Sequence, residues 1–170
     1  DRMASAAGWI DADRLLLATQ TGLAVLDLRD GGLRDLIAVE ADDPGTRSND
    51  GRADRQGGFW FSTMGLGAEA ARGAIYRFHR GEVRQVGAGV TIPNAICFAP
   101  DGRLAYFADT ALQCLWAQPL DAQGWPEGEA ALFLDLAPEG LNPDGAVVDA
   151  QGGLIVSLWG GGRVHRYDAQ

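Results

Sequence analysis

Three polar residues, Asn49, Asn94 and Asp144, hold the chemistry that this 170-residue chain displays most plainly. They offer two amide carbonyl oxygens and one carboxylate. Oxygen donors suit hard divalent cations such as Ca²⁺ or Mg²⁺, and neither a histidine nor a thiol stands at the equivalent places. A cation held there with open positions would polarise a carbonyl or lower the pKa of water. Asp144 is the candidate for two tasks, as ligand and as the base that activates such a water. The competing explanation is local, because Asn and Asp ahead of strands cap turns through side-chain to backbone hydrogen bonds. What favours a shared site is that all three residues lie in one phase of a repeat.

The repeat is built from strands and turns. The chain has 24 glycines and shows few helical patterns. Short apolar runs open at Leu15, Phe59, Leu104 and Leu154, with steps of 44, 45 and 50 residues between them. Each follows a turn signal ("DAD", "DRQG", "PDG", "DAQG"), and each precedes a second run from Leu23, Gly73, Gln113 or Gly162. A repeat of that length made of strands and tight turns predicts an all-β fold, a β-propeller. The alternative is a β-sandwich with even spacing; no helical segment supplies the crossovers of a parallel sheet. Ten positions before the four markers stand Ser5, Asn49, Asn94 and Asp144. That phase is the mouth of the innermost strand of each blade, where side chains converge on the central channel. Asp101 repeats the "PDG" letters of Asp144 but lies three residues before its marker, where Asp-Gly is turn chemistry.

Other candidates fit turns or packing. His79 and His165 fall in or beside the second runs, Asp109 ends a strand, and Gly160–Gly162 reads as a hairpin turn. The two cysteines, Cys97 and Cys114, match no metal spacing and are expected to be buried free thiols, which points to a reducing, cytoplasmic setting. Hydrophobic content of 46% against 22% charged residues excludes a disordered chain. A net charge of −9 argues against nucleic-acid or anionic-membrane partners.

The stretches "RSNDGRADRQGGFWFSTMG" from Arg47, "IPNAICFAPDGRLAYFADT" from Ile92 and "NPDGAVVDAQGGLIVSLWGGGRVHRYD" from Asn142 resemble the gluconolactonase/regucalcin family (the senescence-marker-protein lactonases). The resemblance covers the chain from Leu15 onward. It implies a six-bladed propeller with one divalent cation in its axial channel, calcium foremost, with zinc, magnesium or manganese as alternatives. It implies hydrolysis of sugar lactones, with Asn94 and Asp144 binding the metal and Asp144 the general base. Asn49 then lies beside the metal, where it helps bind substrate or a coordinating water, and Arg47 contacts substrate hydroxyls. Where some members place an acidic residue after the Thr-Met pair, this chain has Gly67, with Glu69 nearby. Other readings are a calcium-binding scaffold propeller without catalysis, or an esterase of other specificity.

The repeats amount to about three and a half blades, fewer than close a propeller. The expectation for residues 1–170 is therefore one partial propeller, internal to a longer protein that adds roughly one blade in front and about two behind. The missing blades would come from its own full-length chain or from another chain.

Overall fold

Each repeat turns on an aspartate. The Oδ1 atoms of Asp11, Asp54, Asp101 and Asp149 accept the backbone N–H two residues on, from Asp13, Gln56, Arg103 and Gln151, at 2.9–3.1 Å. These side-chain turns reverse the chain just before each predicted marker strand. The computed structural model describes residues 2–168, whose regular elements are strands joined by turns and loops, with one 3₁₀ turn at Ala137–Glu139. Among the described residues no helix is long and apolar enough to cross a membrane.

Four antiparallel sheets follow one another along the chain, each a meander in chain order. The first contains Ala4–Trp9 (β1), Arg14–Thr19 (β2), Gly22–Asp27 (β3) and Leu33–Ala38 (β4). The second contains Thr46–Ala53 (β5), Phe59–Gly65 (β6), Gly73–His79 (β7) and Glu82–Val90 (β8). Pro93–Phe98 (β9), Leu104–Asp109 (β10), Cys114–Pro119 (β11) and Ala131–Asp135 (β12) make the third. Asn142–Val148 (β13), Leu154–Trp159 (β14) and Arg163–Tyr167 (β15) make the fourth, which is three-stranded among the described residues. The first strands of successive sheets, β1, β5, β9 and β13, lie side by side, so the sheets stand as blades around them.

The core lies between blades, and strand pleating explains why. Along β6 every residue is buried. Phe59 and Phe61 face the first blade, against Leu16, Leu23 and Val25, whereas Trp60 faces the third, with Ile96, Ala105 and Leu120. Successive side chains point to opposite faces of a sheet, so a strand between two neighbours is apolar on both. This is the physical content of the continuous run "FWF". A third cluster, including Tyr106, Leu115, Leu136, Leu154 and Val156, joins the last two blades.

Two details depart from the expectations. Cys97 is buried as expected, and both thiols are free, but Cys114 is only half-buried, near the Asp135 carboxylate. It opens β11 close to the outer strand β12, where the sheet meets solvent. The outermost strands β4, β8 and β12 have no clear mark in the sequence. They are mostly exposed, so their residues carry little alternation.

Candidate active site

At the predicted phase, or one residue past it in β9, each inner strand carries one residue more than its partner. Ser48 pairs with Thr63 and Gly51 with Phe61, so Asn49 and Asp50 together face Ser62. Pro143 pairs with Leu158 and Ala146 with Val156, which sets Asp144 and Gly145 against Ser157. In β9, Asn94 is the last regular pair before Ala95 and Ile96 share Phe107. β1 shifts register between Ala4 and Ala6, at Ser5. A bulge bends the strand and re-aims a side chain out of the alternating pattern. The serines complete the distorted backbone: Ser62 Oγ accepts from Asp50 N–H at 3.0 Å and donates to Asp50 C=O at 2.9 Å. Ser157 Oγ donates to Gly145 C=O at 2.8 Å.

The side chains at this end of the strands are joined in one direction. Arg47 Nη1 donates to Asn49 Oδ1 at 2.9 Å and to its neighbour Ser48 C=O at 2.9 Å. Asn49 Nδ2 donates to Asn94 Oδ1 at 3.1 Å and to Pro93 C=O at 2.9 Å. Asn94 Nδ2 donates to Thr110 Oγ1 at 2.9 Å, and Thr110 Oγ1 donates to Pro143 C=O at 2.6 Å. A guanidinium has no acceptor, so Arg47 fixes which end of the Asn49 amide faces it. The orientation of each later amide follows from the one before.

Arg47, Asn49, Asn94 and Asp144 all line one cavity of about 320 Å³, together with Met64, Ile92, Thr110 and Trp159. Asp144 makes no ion pair or side-chain hydrogen bond among the described residues, so its carboxylate is free to act on whatever enters. Burial pushes the Asp50 carboxyl above its usual range, opposed by the amides of Ile96 and Gly51 and by the Arg52 guanidinium; Asp144 adds to the upward push.

Not every predicted ring residue reaches the cavity. Ser5 Oγ donates instead to Ser48 Oγ at 2.7 Å. Glu69 folds back over its own turn, where Oε2 accepts the Gly67 N–H at 3.1 Å, and it does not line the cavity. Asp109 is buried and accepts the amides of Thr91, Ile92 and Ala111 at 2.8–3.1 Å. It therefore fixes the approach to Asn94 from behind. The phase of the repeat does not single out Thr110 or Trp159. Each ends or follows the strand after a ring residue, and that position at the mouth of the repeat is the available signal.

Over residues 1–170 the sequence matches the family described as SMP-30/Gluconolactonase/LRE-like region. The chain belongs to this family. It is 41% identical over 159 residues to a Rhizobium meliloti (strain 1021) protein provisionally named a sugar lactone lactonase, covering 93% of this chain and 54% of the relative. It is 38% identical over 175 residues to the L-arabinolactonase of Azospirillum brasilense, covering 98% and 56%. The crystal structure of regucalcin from Agrobacterium tumefaciens str. C58, described as a calcium-binding protein, superposes with a TM-score of 0.96 at 42% identity. That match covers 99% of this chain and 57% of the other. The chain thus spans a little over half the length of these relatives.

Proposed function

We propose that this chain carries part of a metal-dependent sugar-lactone hydrolase, and that the whole protein closes as a six-bladed propeller. The observation that carries the reading is the cavity into which three blades deliver Arg47, Asn49, Asn94 and Asp144. Lactonases among the relatives supply the substrate class. The two free thiols are compatible with a cytoplasmic setting.

The donor set fits a hard cation. Asp144 is a carboxylate in the cavity wall with no partner among the described residues, and Asn94 Oδ1 accepts one hydrogen bond and keeps a lone pair. Asn49 Oδ1 is taken up by a guanidinium, which favours a substrate-binding task for Asn49 over ligation. We therefore read Asn94 and Asp144 as the residues that hold the cation, with calcium the first choice. Bound there, it would supply Lewis acidity toward the lactone carbonyl.

Arg47 and Asn49 bind and orient the hydroxyls of the sugar ring, so that the carbonyl carbon meets a water beside Asp144. The Asp144 carboxylate takes a proton as the water oxygen forms its bond to that carbon. The ring C–O bond then breaks, the ring oxygen takes up a proton as a hydroxyl, and the product is an open-chain hydroxy acid. Asp144→Asn in the whole protein is expected to lower turnover of a simple aldonolactone by at least about 100-fold, the usual scale of general-base catalysis, in a pH-stat assay. Retained turnover would refute the assignment. The description of the regucalcin structure as calcium-binding favours a second reading, a binding propeller without catalysis. A chelator titration separates the two, since only the hydrolase has turnover to lose.

A further inference from the structure

The candidate ligands sit on inner strands of different sheets, and among the described residues no backbone ladder joins those sheets to set their spacing. Something else must do so. Ile96 lies two residues past Asn94, and Ala146 lies two past Asp144, so the two are equivalent positions in neighbouring blades. Arg52, on β5, reaches both: Nε donates to Ile96 C=O at 2.9 Å and Nη2 to Ala146 C=O at 3.1 Å. From the same strand, Asp50 Oδ2 accepts Ile96 N–H at 2.8 Å. The bulged strand of one blade thus grips Ile96 at both its N–H and its C=O, and spans to the blade beyond. The planar guanidinium offers its donors in a fixed fork, which suits it to holding two carbonyls at a set separation.

We propose that Arg52 is a positioning residue for the cation site, a brace that fixes the distance between Asn94 and Asp144 through the backbones two residues downstream. This rests on the reading of the cavity as a cation site. The brace makes a prediction opposite in sign to simple electrostatics. Removing a positive charge from the neighbourhood of a bound cation should tighten binding by Coulomb's law. Removing a brace should loosen it, because supporting contacts hold ligands in the productive geometry.

The test is Mn²⁺ affinity, followed by electron paramagnetic resonance of the free ion, in the whole protein first stripped of metal by chelation. Arg52→Met removes both charge and donors. Arg52→Lys keeps the charge but replaces the fork with a single ammonium. Both variants are expected to bind Mn²⁺ about tenfold or more weakly, the scale found for supporting residues of metal sites. Binding as tight as the parent's, or tighter, in either folded variant overturns the proposal, and one variant that folds is sufficient for the test. A lowered melting midpoint with unchanged affinity in the folded protein also overturns it, since that is the mark of a merely structural residue. A parent that binds Mn²⁺ and loses it in Asp144→Ala but not in Arg52→Met sinks the brace alone. A parent that binds no Mn²⁺ sinks the cation site and the brace together.

Discussion

A primary amide has two ends of nearly the same shape and opposite hydrogen-bonding character. In this cavity the direction is imposed from outside, by Arg47 at one end and by Thr110 donating to a carbonyl at the other. Asn49, Asn94 and Asp144 are legible in the sequence because they share a phase, and Arg47 through the family resemblance, but the order of donation from Arg47 through Asn49 to Asn94 depends on side-chain directions that no repeat length reveals. Thr110→Val keeps the shape of the side chain and deletes the hydroxyl. Asn94 Nδ2 and Pro143 C=O then lose their partner, at a cost of about 1–3 kcal/mol for buried polar groups left unpaired. The denaturant midpoint should fall accordingly, cation affinity should fall with it, and Thr110→Ser should restore both. A Val variant equal to the parent in both measurements would show that the relay orders nothing. The thiols offer a separate check. Burial pushes the Cys97 thiol up to about 12, and half-burial raises that of Cys114 with help from Asp135. Iodoacetamide at mild alkaline pH should label Cys114 slowly and Cys97 only on unfolding, as read by peptide mass spectrometry.

Strands that are buried on one face or both announce themselves, and those that skirt the solvent do not. Leu15, Phe59, Leu104 and Leu154 stand at or next to the first residue of β2, β6, β10 and β14, because these strands lie inside the blades and pack on one face or both against an apolar neighbour. The outer strands leave no such trace for the converse reason. Also invisible is the role of Asp54, which the sequence shows only as part of a turn. Its Oδ2 accepts Arg77 Nε at 2.7 Å and Trp60 Nε1 at 3.2 Å, and the side chains of both Asp54 and Arg77 are fully buried. Arg77 continues to Gln123 C=O at 2.8 Å, and its guanidinium lies 4.3 Å from the centre of the Trp125 ring, tying the second blade to a loop of the third. The ion pair itself lies within the second blade, but the onward contacts of Arg77 cross to the third, so no periodicity within one repeat encodes them. Arg77→Met would leave a buried carboxylate without its cation, and unfolding in urea should show a loss of about 3–5 kcal/mol. Adding Asp54→Asn should recover part of that loss, since the stranded charge is then gone. A single variant as stable as the parent would mean that Asp54 finds another partner or water.

At the scale of the whole molecule the blades meet through their inner strands, the apolar clusters between them and polar bridges such as that of Arg77, so anything bound across Asn94 and Asp144 adds a further tie between two blades. Folding stability and cation binding should therefore be linked. A ligand that binds only the folded state at 100 times its dissociation constant adds about 2.7 kcal/mol. A net charge of −9 raises the local concentration of cations around the molecule, which would compensate in part for a proposed donor set with one carboxylate. That same charge is the main confounder, because a diffuse acidic surface also takes up cations. The two sources are separable by thermal unfolding in Ca²⁺ and in chelator, at low and at moderate salt. A bound ion at the cavity should raise the melting midpoint, and the increment should vanish in Asp144→Ala while the midpoint in chelator stays near the parent's. Diffuse binding should give the parent and the variant equal increments and fade for both as salt screens the surface. That second pattern would place the cations on the surface and leave the cavity without one.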